Sequence, residues 1–177
     1  MRRRDLIAGA AGLAVVGGGA AYVIGEPSFG DQGDEQAFAQ FELPGIEAPG
    51  SEAGTVTVPD AGRGSFVELF ATSCTVCQRM MPALRGVAED VEEVQFISVT
   101  NEPIGFSIDR EDVADWWAEH DGYWQLAHDD ELALTRELNA NMVPYGAVFD
   151  ADNRLIWSAG GYKTEAELRE AIEPVME

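Results

Sequence analysis

Residues 66–82 of the chain read FVELFATSCTVCQRMMP. An apolar run of β-prone residues ends in a small polar turn, and a helical pattern begins at Cys74, the first of two cysteines spaced C-x-x-C. Because free N–H groups and the helix dipole stabilise a thiolate at a helix N-terminus, the pKa of the Cys74 thiol is expected below the usual ~8.5. We therefore predict that Cys74 and Cys77 form a redox-active disulfide, with Cys74 as the attacking sulfur and Cys77 as the resolving sulfur.

A C-x-x-C pair can also belong to a structural zinc site, a structural disulfide or a copper(I) site. A structural zinc site needs four ligands, and beyond the pair the chain offers only His120 and His128, both distant in sequence. A disulfide across so short a loop removes little chain entropy, which argues against a purely structural bond. Copper(I) needs only two thiolates, so a copper site remains an alternative. Redox exchange is the favoured interpretation, with no metal and no cofactor other than the disulfide itself.

Four features in this order resemble the thioredoxin superfamily, in particular its extracytoplasmic TlpA-like branch. They are the strand at 66–71, the C-x-x-C pair, Pro82 five positions after the second cysteine, and Val143-Pro144 ahead of an apolar run at 145–150. The resemblance covers roughly residues 60–177. It implies a thioredoxin-like α/β fold, with a central mixed β-sheet flanked by helices, and a thiol–disulfide oxidoreductase activity.

Glu68 lies six positions before Cys74 on an otherwise apolar strand. Related proteins carry an acidic residue near this place, where it accepts and returns the proton of the resolving thiol, so the resemblance gives Glu68 a catalytic role. Burial would raise the pKa of its carboxyl and suit it to proton transfer near neutral pH. The alternative is a carboxylate on an edge strand that faces solvent; the apolar neighbours on both sides favour burial.

The resemblance also implies the substrate-binding residues. In thioredoxin-like proteins the proline that corresponds to Pro144 is cis and faces the cysteines, which leaves the backbone of Val143 to bind the substrate chain as an added strand. Two positions depart from the family pattern. Ser73 stands where the family usually has tryptophan, and Thr75-Val76 replaces a Gly-Pro-like dipeptide. These residues lie where the reduction potential is tuned.

The N-terminal residues 1–25 resemble a twin-arginine export signal or a membrane anchor. Arg3-Arg4-x-Leu6-Ile7 opens an uncharged run through Ile24, about 19 residues long, which nearly spans a bilayer core. Small residues at 19–21 would permit cleavage, but the apolar run continues past them, which favours a retained anchor. Either outcome places the cysteines outside the cytoplasm, where disulfides persist.

The composition is strongly acidic, with 32 Asp and Glu against 11 Lys and Arg and a net charge of −21. The charges are spread along the chain, so the composition resembles that of a halophilic protein rather than an acidic tail. So negative a chain also argues against nucleic acid as a partner. Residues 26–62 are predicted to be a tether with short strands at 41–43 and 55–58, and residues 63–177 the thioredoxin-like domain, which we expect to be a monomer.

Apolar periodicity predicts the remaining elements: helices at 74–90, 109–119, 131–139 and 164–175, and strands at 94–99, 124–127, 145–149 and 154–158. Met80 and Met81 are predicted to pack in the core rather than bind copper. One of Trp116 and Trp117 should pack on the sheet, and the other, or residues 104–106, could dock a partner. His128 is predicted to be a turn residue, and the acidic turn at 150–153 lacks the spacing of a calcium site.

These observations predict an extracytoplasmic thiol–disulfide oxidoreductase that acts on protein thiols and disulfides. The resemblance implies the reducing direction, for example on apocytochrome thiols before haem attachment, with electrons from a membrane thiol carrier. Two alternatives remain: an oxidase that forms disulfides, and a copper(I) chaperone that uses the same two thiolates.

Overall fold

The computed structural model describes residues 37–176, so the predicted signal or anchor at 1–25 and the first part of the tether lie outside the described residues. None of the helices within residues 37–176 combines the length and the hydropathy that a membrane-spanning helix requires. The strands are β1 Phe41–Gly45, β2 Gly54–Val58, β3 Ser65–Phe70, β4 Gln95–Thr100, β5 Gln125–His128, β6 Tyr145–Phe149 and β7 Leu155–Gly160. The helices are α1 Thr75–Ala88, α2 Arg110–Glu119, α3 Ala133–Glu137 and α4 Glu165–Ile172, which a 3-10 turn at Glu173–Val175 follows.

The strands form one mixed sheet of seven strands in the order β2-β1-β5-β4-β3-β6-β7. The three central strands β3, β4 and β5 are parallel, whereas β6 runs antiparallel to β3 and β7 antiparallel to β6. Every residue of β3 and β4 is buried, which is typical of strands covered on both faces. The predicted class, a mixed sheet flanked by helices, is confirmed.

Helices cover the two faces of the sheet unequally. Because successive side chains of a strand point to opposite faces, Phe66 and Phe70 of β3 pack with α1, α2 and α4, while Val67 and Leu69 pack with α3. Glu68 has the parity of the two phenylalanines, so it lies on the face that α1 covers. Met80 and Met81 are buried in the same cluster, as predicted for core residues.

The strands predicted within the tether belong to the sheet. β1 pairs with β2 along its whole length and joins β5 through Gly45 and Ala127, and the Ile46 N–H donates to the Leu126 carbonyl at 2.9 Å. The sheet therefore includes two strands that precede the cysteine-bearing segment in the chain. Capping boxes begin two of the helices, Asp109 with Asp112 before α2 and Thr164 with Glu167 before α4.

Two local predictions differ from the structure. α3 begins at Ala133 rather than near 131, because Leu132 adopts a left-handed conformation with φ 55°. The prediction that His128 is a turn residue was wrong: it ends β5, pairs with Thr100 of β4 and is buried. Its ring Nε2 lies 2.9 Å from the Glu102 carbonyl oxygen, which gives this buried ring nitrogen a hydrogen-bond partner.

The two neighbouring tryptophans of α2 both pack within the protein. Trp117 is fully buried, and Trp116 stacks on Phe70 and on His120 with ring centroids 5.1 and 4.4 Å away. Trp116 is therefore only partly available to a partner. In the loop before α2, Phe106 is 95% exposed.

Candidate active site

The disulfide between Cys74 and Cys77 lies where β3 gives way to α1. Cys74 is the N-cap of α1, and the Cys77 backbone N–H donates to its sulfur at 3.0 Å. A small polar turn lets the chain leave the buried strand and present the first sulfur at the positive end of the helix. Cys74 is half-buried, whereas Cys77 has no exposed surface. An incoming thiolate or disulfide can therefore reach Cys74 and not Cys77.

The sheet brings the Val143-Pro144 peptide to this disulfide. β6 begins at Tyr145, which pairs with Leu69 near the end of β3, so the residues before β6 lie beside the start of α1. The Val143–Pro144 bond is cis, and the Val143 carbonyl oxygen lies 3.8 Å from the Cys74 sulfur. These residues are 69 positions apart in the chain, and the antiparallel pairing of β3 with β6 is what joins them.

The remaining predicted site residues surround the exposed sulfur. Ser73 and Thr75 are exposed and Val76 is half-buried. They adjoin Cys74 in the chain, and the carbonyl of the half-buried Val143 lies near the same sulfur. Ser73 presents a small, exposed side chain directly before Cys74.

Glu68 is fully buried and makes one strong hydrogen bond. Its Oε2 accepts the Ser98 hydroxyl at 2.6 Å, and the Ser98 oxygen in turn accepts the indole N–H of Trp124 at 2.9 Å. Its Oε1 has no hydrogen-bond partner among residues 37–176. Burial raises the pKa of this carboxyl to about 8, while the hydrogen bond from Ser98 lowers it. The alternative of a solvent-facing carboxylate is excluded.

A carboxyl group in this state can exchange a proton near neutral pH. In the oxidised protein the Glu68 carboxyl is protonated below about pH 8. Its unpaired oxygen lies on the sheet face that also packs against the buried Cys77. Sequence reasoning found Glu68 but neither of its supporting residues. Ser98 pairs with it across β3 and β4, and a buried serine in an apolar strand was the available signal.

Glu102 is a site residue that sequence reasoning missed. Its two carboxylate oxygens accept the Thr72 backbone N–H at 2.7 Å and the Thr72 hydroxyl at 3.0 Å, and the Thr100 hydroxyl also donates to it at 3.2 Å. These bonds hold the turn two residues before Cys74. Because β3 and β4 are parallel, their carboxyl ends meet at one edge of the sheet, and an acidic residue just past β4 was the signal that could have revealed this contact.

Replacing Glu102 with alanine should loosen the turn that carries Cys74. We expect the free energy of unfolding to fall by about 2 kcal/mol, because hydrogen bonds to a charged acceptor are lost and the Thr72 N–H is left without its partner. Denaturant unfolding of the oxidised protein measures this change. Glu47→Ala, which removes an exposed carboxylate from another part of the surface, is the control. Equal stability of both variants would contradict a positioning role for Glu102.

The described residues show no metal-binding constellation. Within 37–176 no three His, Cys, Asp or Glu side chains are grouped to hold a metal ion. His120 lies with Nδ1 2.7 Å from the Trp116 carbonyl, and His128 contacts the Glu102 carbonyl, so each histidine has its own backbone partner. The two thiolates of the reduced pair remain the ligands that copper(I) would require.

The fold and the disulfide define the class of enzyme, a thioredoxin-like thiol–disulfide oxidoreductase that acts on protein thiols and disulfides through its own cysteines. Comparison with family models then identifies the family. The Redoxin model matches residues 35–172, and the chain belongs to the Redoxin family. No curated protein sequence matches the chain.

Solved structures share the fold. StoA from Bacillus subtilis is 16% identical with a TM-score of 0.63, over 76% of this chain and 96% of that chain. A candidate DsbE thiol:disulfide interchange protein from Chlorobium tepidum is 16% identical with a TM-score of 0.67, over 80% of this chain and 96% of that one. The exposed lipoprotein thioredoxin Etrx1 from Streptococcus pneumoniae is 17% identical with a TM-score of 0.65, over 77% and 99% of the two chains.

Proposed function

We propose that this protein reduces protein disulfides outside the cytoplasm through Cys74 and Cys77. The observation that carries the proposal is the disulfide itself, with a reachable Cys74 at the N-cap of α1 and a fully buried Cys77 one turn further in. That asymmetry suits a two-step exchange, because only the outer sulfur can meet a substrate and only the inner sulfur is held in place to release it.

In the first step the Cys74 thiolate of the reduced enzyme attacks one sulfur of a substrate disulfide. A mixed disulfide forms, and the second substrate sulfur leaves as a thiolate that takes up a proton. In the second step the Cys77 thiol loses its proton and attacks the Cys74 sulfur, which expels the first substrate sulfur as a thiolate. The substrate gains two electrons from the enzyme and its two thiolates take up two protons from solvent, and the enzyme ends as the oxidised disulfide.

We assign to Glu68 the proton of the Cys77 thiol. With a pKa raised to about 8, the carboxyl can take this proton in the resolving step and keep it in the oxidised enzyme. Glu68 gives the proton back to the Cys77 sulfur when the disulfide is reduced again. Its position on the α1 side of β3 supports this assignment.

We propose that Val143 and Pro144, with Ser73, Thr75 and Val76, bind the substrate chain. The Val143 carbonyl beside the Cys74 sulfur supports a backbone contact with a segment that adds to this edge of the site. The protein would act as a monomer.

For location we propose a membrane-anchored or exported protein, with residues 1–25 as a twin-arginine-like anchor or signal and residues 26–62 as a tether whose strands β1 and β2 join the sheet of the domain at 63–177. The similar Etrx1 is described as an exposed lipoprotein, which supports this placement by analogy. A membrane thiol carrier would supply the electrons, apocytochrome thiols are one substrate class, and the acidic composition would suit a halophilic setting.

The reduction potential of the Cys74–Cys77 pair tests the direction of electron flow. It should be measured on the full-length protein in thiol–disulfide buffers at high salt, and we expect a value near the thioredoxin end of the scale, about −270 mV. A value near about −120 mV would assign the protein to disulfide formation instead. A pair that does not exchange but binds copper(I) in stoichiometric amount would assign it to copper transfer.

A further inference from the structure

Three segments near the disulfide contain no acidic residues. The chain has 32 Asp and Glu, yet residues 69–88, 138–149 and 153–164 contain none. The first segment carries the cysteines, the second carries Val143-Pro144, and the third forms β7 and the loop after it. The three segments can form one surface without acidic residues only if they lie together in the folded protein.

The structure brings the three segments together around the disulfide. The Gly161 N–H donates to the Pro144 carbonyl at 2.8 Å, and the Lys163 N–H donates to the Met80 sulfur at 3.4 Å. The nearby Glu102 lies outside these segments, and both oxygens of its carboxylate point to the turn before Cys74, where they accept hydrogen bonds from Thr72. A substrate chain that approaches Cys74 would therefore meet three segments that carry no carboxylate.

We name this surface the acid-free rim and define it by residues of the three segments. Two large apolar side chains on it are open to solvent: Met142 is 54% exposed and Tyr162 is 47% exposed. The members of the rim are Ser73, Thr75, Val76, Arg79, Met142 and Tyr162.

Arg79 is the cation of this rim. It is exposed and lies three and four positions after Val76 and Thr75, so it occupies the same face of α1, one turn below the dipeptide between the cysteines. Within residues 37–176 its guanidinium makes no hydrogen bond or ion pair, although the domain is rich in carboxylates. Each of the other cations of that range has a partner: Arg63, Arg85, Arg110, Arg136, Arg154, Lys163 and Arg169.

The net charge and the local charge predict opposite partners. A chain of net charge −21 would attract basic polypeptides at long range. At physiological salt the Debye length is about 8 Å, so a docked substrate senses mainly the charges beside the disulfide. Among the residues of the three segments, all within 37–176, the charged side chain without a partner is the Arg79 guanidinium, whose planar donors suit a carboxylate. A solvated arginine with no role would not explain why the surrounding segments also lack acidic residues.

We propose that the acid-free rim docks protein substrates that carry acidic residues next to the reactive cysteine, and that Arg79 is the specificity-determining residue that pairs with the substrate carboxylate. This inference rests on the proposed function, because the rim matters only if Cys74 exchanges with protein substrates. It adds the substrate class: acidic polypeptides, which a uniformly acidic domain would repel.

The test compares three short peptides with one disulfide each and with Glu, Gln or Lys beside the cysteines. Rates of reduction by the reduced full-length protein are measured at about 0.15 M salt, where distant charges are screened. We expect the Glu peptide to react fastest with the wild type. Arg79→Gln should lower the ratio of the Glu rate to the Gln rate by about threefold, a typical effect for one exposed charge pair. Arg79→Glu should reverse the preference and favour the Lys peptide.

Arg63→Gln is the matched control, because it makes the same change of charge at an exposed arginine that pairs with Asp60. It should leave the ratio of rates as in the wild type. The inference is overturned if the wild type prefers the Lys peptide, or if Arg79→Gln slows the peptides equally, since an equal effect would mean that Arg79 acts on the cysteines and not on the substrate. Failure of the wild type to exchange with any peptide would overturn the proposed function as well.

Discussion

Replacing Cys77 with serine should stop catalytic turnover and trap a substrate on the enzyme. Cys74 remains reachable at the N-cap of α1 and can still attack a disulfide, but the sulfur that would expel the substrate is gone. The mixed disulfide should therefore accumulate, and turnover should fall to the uncatalysed rate. Gel mobility without reductant and intact-mass measurement reveal the covalent adduct, and a peptide-disulfide assay measures turnover.

The control for this experiment is Cys74→Ser. It retains a sulfur at position 77, but that sulfur is fully buried, so neither turnover nor an adduct is expected. If Cys74→Ser formed the adduct and Cys77→Ser did not, the assigned order of attack would be reversed. If neither variant formed one and the reduced wild type instead bound copper(I) in equal amount, the protein would belong to the alternative functional class.

Replacing Glu68 with glutamine should remove a pH-dependent loss of stability. In the unfolded chain this carboxyl ionises above its usual pKa of 4.5, whereas in the folded protein burial keeps it protonated up to about 8. The unfolded state therefore binds fewer protons between these values, and the free energy of unfolding falls as pH rises, by about 1.4 kcal/mol per pH unit. The stabilising contribution is complete below pH 4.5 and is lost as pH passes through about 8.

Glutamine cannot ionise, so the variant should lack this slope. Between pH 5 and pH 9 the stability of the variant relative to the wild type should rise by on the order of 4 kcal/mol. Denaturant unfolding of the oxidised proteins at both pH values measures it, and the difference between proteins cancels the titration of the surface carboxylates. Glu47→Gln, at an exposed position, should keep the wild-type slope. A parallel pH profile for Glu68→Gln would show that the carboxyl titrates normally.

The same variant should slow the resolving step. Glutamine cannot take the proton of the Cys77 thiol, and loss of a positioned base costs at least about 10²-fold. The mixed disulfide should live longer in Glu68→Gln, while the first attack by Cys74 proceeds at a similar rate. Rapid acid quenching followed by mass measurement separates the two steps. An unchanged lifetime of the mixed disulfide would leave Glu68 without a role in proton transfer.

Much of the architecture could be predicted because it depends on short-range patterns. The apolar run at β3, the polar turn, and the cysteine at the N-cap of α1 follow from neighbouring residues, as does the capping box of Thr164 and Glu167. The burial of Glu68 was also predicted, since a strand that is apolar on both faces leaves no solvent-exposed side. These features need only periods of two or four residues and the chemistry of helix ends.

Other features depend on which strands become neighbours. His128 lies in a strand and not in a turn because β5 extends far enough to pair with Thr100. The Val143 carbonyl lies beside Cys74 because β6 pairs with β3. Ser98 donates to Glu68 because β4 pairs with β3. Glu102 supports the turn before Cys74 for the same reason.

The amino-acid sequence by itself thus determined the cysteine-bearing helix start, the buried acid and the absence of carboxylates from three segments. Only the tertiary structure decided that these segments meet at one surface, and that Arg79 stays unpaired there among the residues of 37–176. The physical reason is that local conformation follows from a few neighbouring residues, whereas strand order and register depend on burying apolar faces across the whole sheet.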